Sequence, residues 1–216
     1  PICDNQERLV EKVRATNPDA VFLTGDLIDS RRYDLQNSLD VVEQIVTFTD
    51  VYYVLGNHEV AVNRIDEIYE ALEHLGVQIL PNQSLEIERD GERLTIIGIE
   101  DPLMGKEPQQ MLDEAMATVD DKSFKILLSH RPEIFETYVE NAVDVVFTGH
   151  AHGGQIRLPF SDGLFAPGQG WFPNQTSGLH EADDTKMIVS RGLGNSILKQ
   201  RLFNLPEIVV VDLKSR

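Results

Sequence analysis

The stretch AVFLTGDLID, residues 20–29, decides how the rest of the chain is read. Its apolar, partly β-branched opening has the composition of a short buried strand. Gly25 then lets the chain turn tightly, so that Asp26 stands just beyond the strand's carboxyl end. Three further stretches repeat that grammar: VYYVLGNHE at 51–59, FKILLSH at 124–130 and VDVVFTGHAH at 143–152. Each apolar run closes on residues able to bind a metal ion, namely Asp26, Asn57, His130, and the pair His150 and His152. In an open α/β sheet, ligands bind beyond the carboxyl ends of the strands. One polar ending of this kind is ordinary; four in succession converge on one site.

Between these strands the period changes. Asn5 to Thr16 reads as an amphipathic helix with Leu9, Val10 and Val13 on one face, and Asp4 with Glu7 has the spacing of a capping box. Leu35 to Phe48 and Arg64 to Leu75 follow the same helical period, and Gly76 stops the second. SLEIERDGERLTIIGIE at 84–100 alternates on both sides of Asp90-Gly91, a β-hairpin signature. Glu107 to Val119 and Pro132 to Glu140 predict two more helices, and KMIVS at 186–190 and EIVVVDL at 207–213 two last strands. Strands alternating with helices in the first half predict parallel βαβ units, and the hairpin a mixed second sheet. The expected fold is α/β: a four-layer α-β-β-α sandwich of two mixed β-sheets flanked by helices. No repeat or low-complexity linker interrupts the chain, so residues 1–216 are read as a single domain.

Composition narrows the chemistry. The formal charge of −17 comes without any lysine or arginine cluster, which argues against a nucleic-acid polymer as partner. A small phosphorylated substrate is compatible, because bound cations reverse the local sign of a site in an acidic protein. The single cysteine, Cys3, excludes an intrachain disulfide and a thiolate zinc site. No apolar run approaches the roughly 20 residues that span a bilayer. Imidazole and oxygen donors together suit Mn, Fe, Zn, Co or Ni. In an extended segment His150 and His152 would point the same way, and could share one ion or reach two adjacent ions. Asp26 has two oxygens with which to bridge, and Asn57 offers a neutral carbonyl. Two metals about 3.5–4 Å apart can hold the attacking and leaving oxygens of an in-line phosphoryl displacement.

GDLID (25–29), GNHE (56–59), the Ser129-His130 pair before RPE, and GHAH (149–152) resemble four of the five motifs of the calcineurin-like metallophosphoesterase superfamily. GHAHGGQIRLP, APGQG and SRGLGNS resemble more narrowly a bacterial branch of single-domain phosphoesterases and phosphohydrolases. The resemblance implies hydrolysis of a phosphomonoester or phosphodiester by a metal-bound hydroxide at a dinuclear centre of two divalent or mixed-valence transition-metal ions. Asp26 would bridge them, Asn57, His130 and His150 would complete the protein shell of one ion, and His152 would bind the other. His58 would sit over the phosphate, stabilising developing charge or protonating the leaving oxygen, and Asp29 would orient His58. The superfamily opens with D-x-H on a first strand. Here the nearest imitation, Asp4-Asn5-Gln6, lies too close to Asp26 and has Gln in place of His. That first strand is therefore expected upstream of Pro1, and the second ion, left with Asp26 and His152, is expected to bind poorly. An anchor in the missing segment would bring membrane association; without one the expected location is cytoplasmic. Two other functions are weighed: a protein phosphatase, whose GDxxDRG pattern finds Ser30 at the Arg position, and a non-catalytic scaffold with an incomplete metal centre.

Blander roles compete for several residues. Asp29 can cap a turn, and Glu59 is expected to cap the helix from Asn63 or to face solvent. His74 belongs to a helix end, and His180 to a loop. Arg131 and Arg191 are as suited to pairing with the many acids as to meeting a phosphate. Trp171 and Phe172, in APGQGWFPNQTSG at 166–178, either shape a pocket, touch a membrane surface or pack under their loop.

Overall fold

The structure is a computed structural model that describes residues 2–89, 91–157, 163–194 and 201–214. Its elements run α1 (Ile2–Ala15), β1 (Ala20–Thr24), α2 (Leu35–Ile45), β2 (Asp50–Val54), α3 (Asn57–Val62), α4 (Ile65–His74), β3 (Gln78–Ile79), β4 (Gln83–Arg89) and β5 (Glu92–Gly98). They continue with α5 (Pro108–Met116), β6 (Phe124–Leu128), α6 (Phe135–Glu140), β7 (Val145–Thr148), β8 (Phe165–Ala166), β9 (Gly170–Trp171), β10 (Gly178–Ala182) and β11 (Thr185–Val189). One sheet has the order β1-β2-β3 and is wholly parallel. The second has the order β10-β11-β7-β6-β5-β4, with parallel β5, β6, β7 and β11 at its centre and antiparallel β4 and β10 at its edges. Mixed pairing is thus confined to the larger sheet, and β8 with β9 forms a separate short ribbon.

The period of two along each strand builds the layers. Tyr52 and Val54 of β2 face Ile96, Ile126 and Leu128 of the other sheet, with Phe22 edge-on to Tyr52 and tilted against Phe147. Their neighbours point outward. Val51, Tyr53 and Leu55 meet Val10, Val42, Ile45, Ile68 and Leu72 from α1, α2 and α4. On the far side Ile97, Leu127, Val146, Met187 and Val189 meet Met111 and Leu112 of α5 and Phe135 and Tyr138 of α6. Three apolar cores separate four layers, which is the α-β-β-α sandwich expected from the sequence. The carboxyl ends of parallel β1, β2, β6 and β7 all fall on one side of it.

Several local expectations change. α1 begins at Ile2, so Asp4 lies inside the helix and the capping-box reading fails. The hairpin pairs Glu88 with Arg93 as its alternation requires, while Asp90 of the turn lies outside the described residues. Parts of the later motifs, Leu158-Pro159 and Asn195-Ser196, also lie outside them. α3 was not foreseen, because GNHEVAV is too short to show a helical period, and β10 was read as loop. EIVVVDL at 207–213 forms no strand; Val209, Val210 and Val211 are exposed. β-branched residues favour an extended backbone, but a strand also needs a neighbouring edge to pair with. No helix among the described residues is long and apolar enough to cross a membrane.

Candidate metal centre

At the end of β1, Gly25 and Asp26 both adopt left-handed backbone conformations, with φ of 89° and 54°. They bring the chain against the end of β2 so closely that a Cβ on Gly56 would lie 2.5 Å from Asp26 Oδ1. A Cβ on Gly25 would lie equally close to the Gly56 nitrogen. Both glycines are therefore needed for the approach of these two loops.

Glu59 fixes that approach. It is 1% exposed, and its carboxylate accepts hydrogen bonds from the backbone N–H groups of Asp26 (2.9 Å), Ile28 (3.2 Å) and Gly56 (2.8 Å). The expectation that Glu59 caps the following helix or faces solvent is overturned. It turns back to the N-terminus of its own helix, α3, and reaches across to the Asp26 loop. The signal was present in GNHE, since a Glu three residues after a capping position is capping-box spacing. Burial raises its pKa, as does the negative charge of Asp26, while the backbone donors from Gly56 and Ile28 pull it back.

The donor atoms meet around His130, which is 1% exposed at the end of β6. Its Nδ1 lies 2.7 Å from the Thr24 carbonyl, which can only accept, so Nδ1 carries a proton and Nε2 faces the site. Around that Nε2 stand His150 Nδ1 at 2.9 Å, Asn57 Oδ1 at 3.1 Å and Asp26 Oδ2 at 3.4 Å. Ligand atoms of Asp26, His130 and His150 all lie within 4.8 Å of one another. Burial works against the charge of Asp26, but His130 and His58 outweigh it and hold the carboxyl below its usual range. Two neutral-capable imidazoles and two oxygen donors at one point, one oxygen anionic, are a donor set for a divalent transition metal.

His150 and His152 depart from the extended geometry expected of them. Both have left-handed backbones, with φ of 61° and 48°, and Ala151 between them is helical and fully buried. The turn separates the two rings: His150 joins the cluster, whereas His152 lies outside it. His152 Nδ1 is buried with no hydrogen-bond partner, and the ring feels the charges of Asp26, Arg201, His130 and His58. A backbone strained at consecutive ligand candidates is typical of functional turns.

His58 follows Asn57 in α3. Its backbone N–H donates to Asp26 Oδ1 (3.0 Å), and its Nε2 lies 3.9 Å from Asp26 Oδ2. The orienting bond comes from an unexpected source. Ser30 N–H donates to His58 Nδ1 at 3.0 Å, while Asp29 Oδ1 is 3.8 Å away and accepts from Arg31 N–H instead. Asp29 is half exposed, and its carboxylate, within ion-pair range of His58 Nδ1, also closes a turn by accepting from Arg31 N–H. A donor on Nδ1 leaves the proton on Nε2, the atom that faces the cluster.

The remaining candidates resolve into pairs. Arg131 forks onto buried Asp101 through Nε (2.6 Å) and Nη2 (3.0 Å), and Arg191 clasps Glu207. Asp101, fully buried after β5, was not singled out from the sequence. His180, on β10, bonds the Ser177 carbonyl, and His74 is exposed. Trp171 and Phe172 are about 70% exposed, at 69% and 70%, so they do not pack under their loop.

With this geometry in view the comparisons with known proteins are direct. A family model described as calcineurin-like phosphoesterase matches residues 2–154, well over half of the chain. The chain belongs to that family. It is 34% identical over 214 residues to the metallophosphoesterase Cj0846 of Campylobacter jejuni, covering 97% of this chain and 54% of that protein. It is 27% identical to the metallophosphoesterase YkuE of Bacillus subtilis (98% of this chain, 73% of YkuE) and 26% identical to the phosphodiesterase YaeI of Escherichia coli (91% and 70%). The chain thus spans about half the length of its Campylobacter relative.

Two predictions follow from the site's geometry. Glu59→Ala strands three backbone donors at about 1–3 kcal/mol each, and is expected to lower both the melting temperature and the affinity for Mn²⁺ in titration calorimetry. Unchanged Mn²⁺ affinity would show that the staple does not shape the site. Burial, foremost, holds the pKa of His150 down to about 2 and of His152 to about 4, against 6.5 for a free imidazole. As pH falls from 7 to 5 the unfolded chain gains protons at these residues that the folded apo protein refuses, so they subtract stability over that window. His130, whose pKa is raised by Asp26 against burial, acts in the opposite sense. Urea denaturation at pH 7 and pH 5 is therefore expected to show a smaller acid loss, or a larger gain, in His152→Asn than in the parent; equal slopes contradict this.

Proposed function

We propose that the protein hydrolyses a small phosphomonoester or phosphodiester, with one transition-metal ion held by Asp26, Asn57, His130 and His150 and a second, more weakly bound, beside His152 and Asp26. The observation that carries this reading is the meeting of four donor atoms from four strand ends, His130 Nε2 and three around it, with protonated His58 Nε2 beside the same carboxylate. When bound, such ions supply Lewis acidity toward phosphoryl oxygens and lower the pKa of a bound water to about 7.

The chain's own residues supply the rest. Asp26, in contact with both the cluster and His58, sets the distance between the proton donor and the reacting phosphorus. Ser30 N–H keeps His58 Nδ1 unprotonated, so Nε2–H is aimed at the substrate. As the water oxygen, its proton released to solvent, bonds to phosphorus and the ester P–O bond breaks, His58 Nε2–H donates a hydrogen bond to the oxygen on which negative charge develops, and the leaving oxygen takes its proton from solvent. The strong negative charge supports a small substrate over a nucleic-acid polymer. The position after Asp29 supports an ester hydrolase of small molecules over a protein phosphatase: Ser30 stands where that pattern has Arg, so the guanidinium of the pattern is absent from this position.

With Mn²⁺ added, the protein is expected to hydrolyse p-nitrophenyl phosphate or its bis-ester. His58→Ala should lose about 10²–10⁴-fold in turnover while binding metal as before. Metal bound with no hydrolysis of either ester would favour the scaffold function instead.

A further inference from the structure

His150 meets the metal cluster with Nδ1, 2.9 Å from His130 Nε2, and presents Nε2 to the opposite side. There Arg131 Nη1 stands 2.9 Å away. A guanidinium has donors and no acceptor and keeps its charge, so in this state it donates to His150 Nε2. The neutral ring then carries its proton on Nδ1, the atom that faces the cluster. A ring in that tautomer cannot ligate through Nδ1, because the lone pair is occupied. Moving the proton to Nε2 frees Nδ1 but sets two N–H donors against each other at 2.9 Å.

An acceptor lies close enough to resolve the conflict. Glu133 Oε1 is 4.0 Å from His150 Nε2 and 3.2 Å from Arg131 Nη1. Glu133 Oε2 is buried and has no hydrogen-bond partner. Arg131 is held independently through Nε and Nη2 by Asp101, so it keeps its place if Nη1 gives up the imidazole. The APGQG segment closes over the same carboxylate. Gly168 has φ of 74°, and a Cβ there would lie 2.4 Å from Glu133 Oε1.

We infer that Glu133 is the positioning residue for His150: on metal binding the ring exchanges its Nδ1 proton for one on Nε2, and Nε2 ceases to accept from Arg131 Nη1 and donates its new proton to the Glu133 carboxylate. The exchange is balanced, one proton leaving Nδ1 to solvent and one arriving at Nε2, with the ring neutral throughout. Carboxylate partners of metal-bound imidazoles fix the tautomer and strengthen the ligand. This rests on the proposal that an ion sits among Asp26, Asn57, His130 and His150. It adds a role for RPE, the stretch that follows Ser129-His130, and for the glycine of APGQG.

Long-range ¹H–¹⁵N spectra of the histidine rings in the apo protein and with Zn²⁺ read the tautomer directly. The expected result is a proton on His150 Nδ1 without zinc and on Nε2 with zinc bound. Glu133→Ala is expected to bind Zn²⁺ about 10–100-fold more weakly, with Glu133→Gln recovering most of the loss because its amide oxygen still accepts. Zinc bound with the proton still on Nδ1, or Glu133→Ala binding zinc like the parent, overturns the inference and leaves the metal site standing. Failure of the parent protein to bind zinc overturns both. Should Glu133→Ala fail to fold, the parent's spectra alone decide.

Discussion

The hydrogen bond from His130 Nδ1 to the Thr24 carbonyl, 2.7 Å long, is the contact on which the site depends. It joins the end of β6 in the larger sheet to the end of β1 in the smaller one. The bond therefore couples the packing of the two sheets to the ligand geometry. It also makes the chemical choice, since a carbonyl accepts only from a protonated nitrogen and so directs Nε2 into the cluster. The apolar core between the sheets, with Tyr52, Val54, Ile96, Ile126 and Leu128, holds the two ends at that distance. Packing at the centre of the fold thus becomes positioning at its edge.

A second level of constraint acts on the loops. The left-handed turn at Gly25-Asp26 and the start of α3 at Gly56 approach too closely for side chains, and Glu59 ties them through three backbone donors. Asp26 is then surrounded by His130, His58 and backbone donors that favour its charged form. A further layer, Asp101 and Glu133, holds Arg131 against the outer face of His150. The acids of this protein are not all a solvated surface; Glu59, Asp26, Asp101 and Glu133 all stand behind the imidazoles.

Much of this was legible in the residues. Four apolar runs ending in Gly-Asp, Gly-Asn-His, Ser-His and Gly-His-x-His gave the parallel strands and the donor set together, because strand composition and ligand type are both local properties. What escaped were features that depend on distant neighbours. EIVVVDL has the composition of a strand but finds no edge among the described residues, and the reach of Glu59 back to Asp26 spans two loops. The His-x-His pair was read as extended because alternation is the default for a strand end; both residues instead take the left-handed region, which sequence seldom reveals outside glycine. Residue type points to Asp29 as the partner of His58, and its carboxylate lies 3.8 Å from Nδ1; the direct hydrogen bond from the Ser30 backbone N–H is invisible in any side-chain pattern.

The central claim is that one ion is held jointly by the ends of β1, β2, β6 and β7. Anomalous diffraction at the manganese edge from crystals of the protein grown with Mn²⁺ tests it most directly. The account predicts a strong peak within bonding distance of Asp26, Asn57, His130 and His150 together. A peak bound elsewhere, with His130 Nε2 and Asp26 Oδ2 still facing each other across an empty gap, would contradict it.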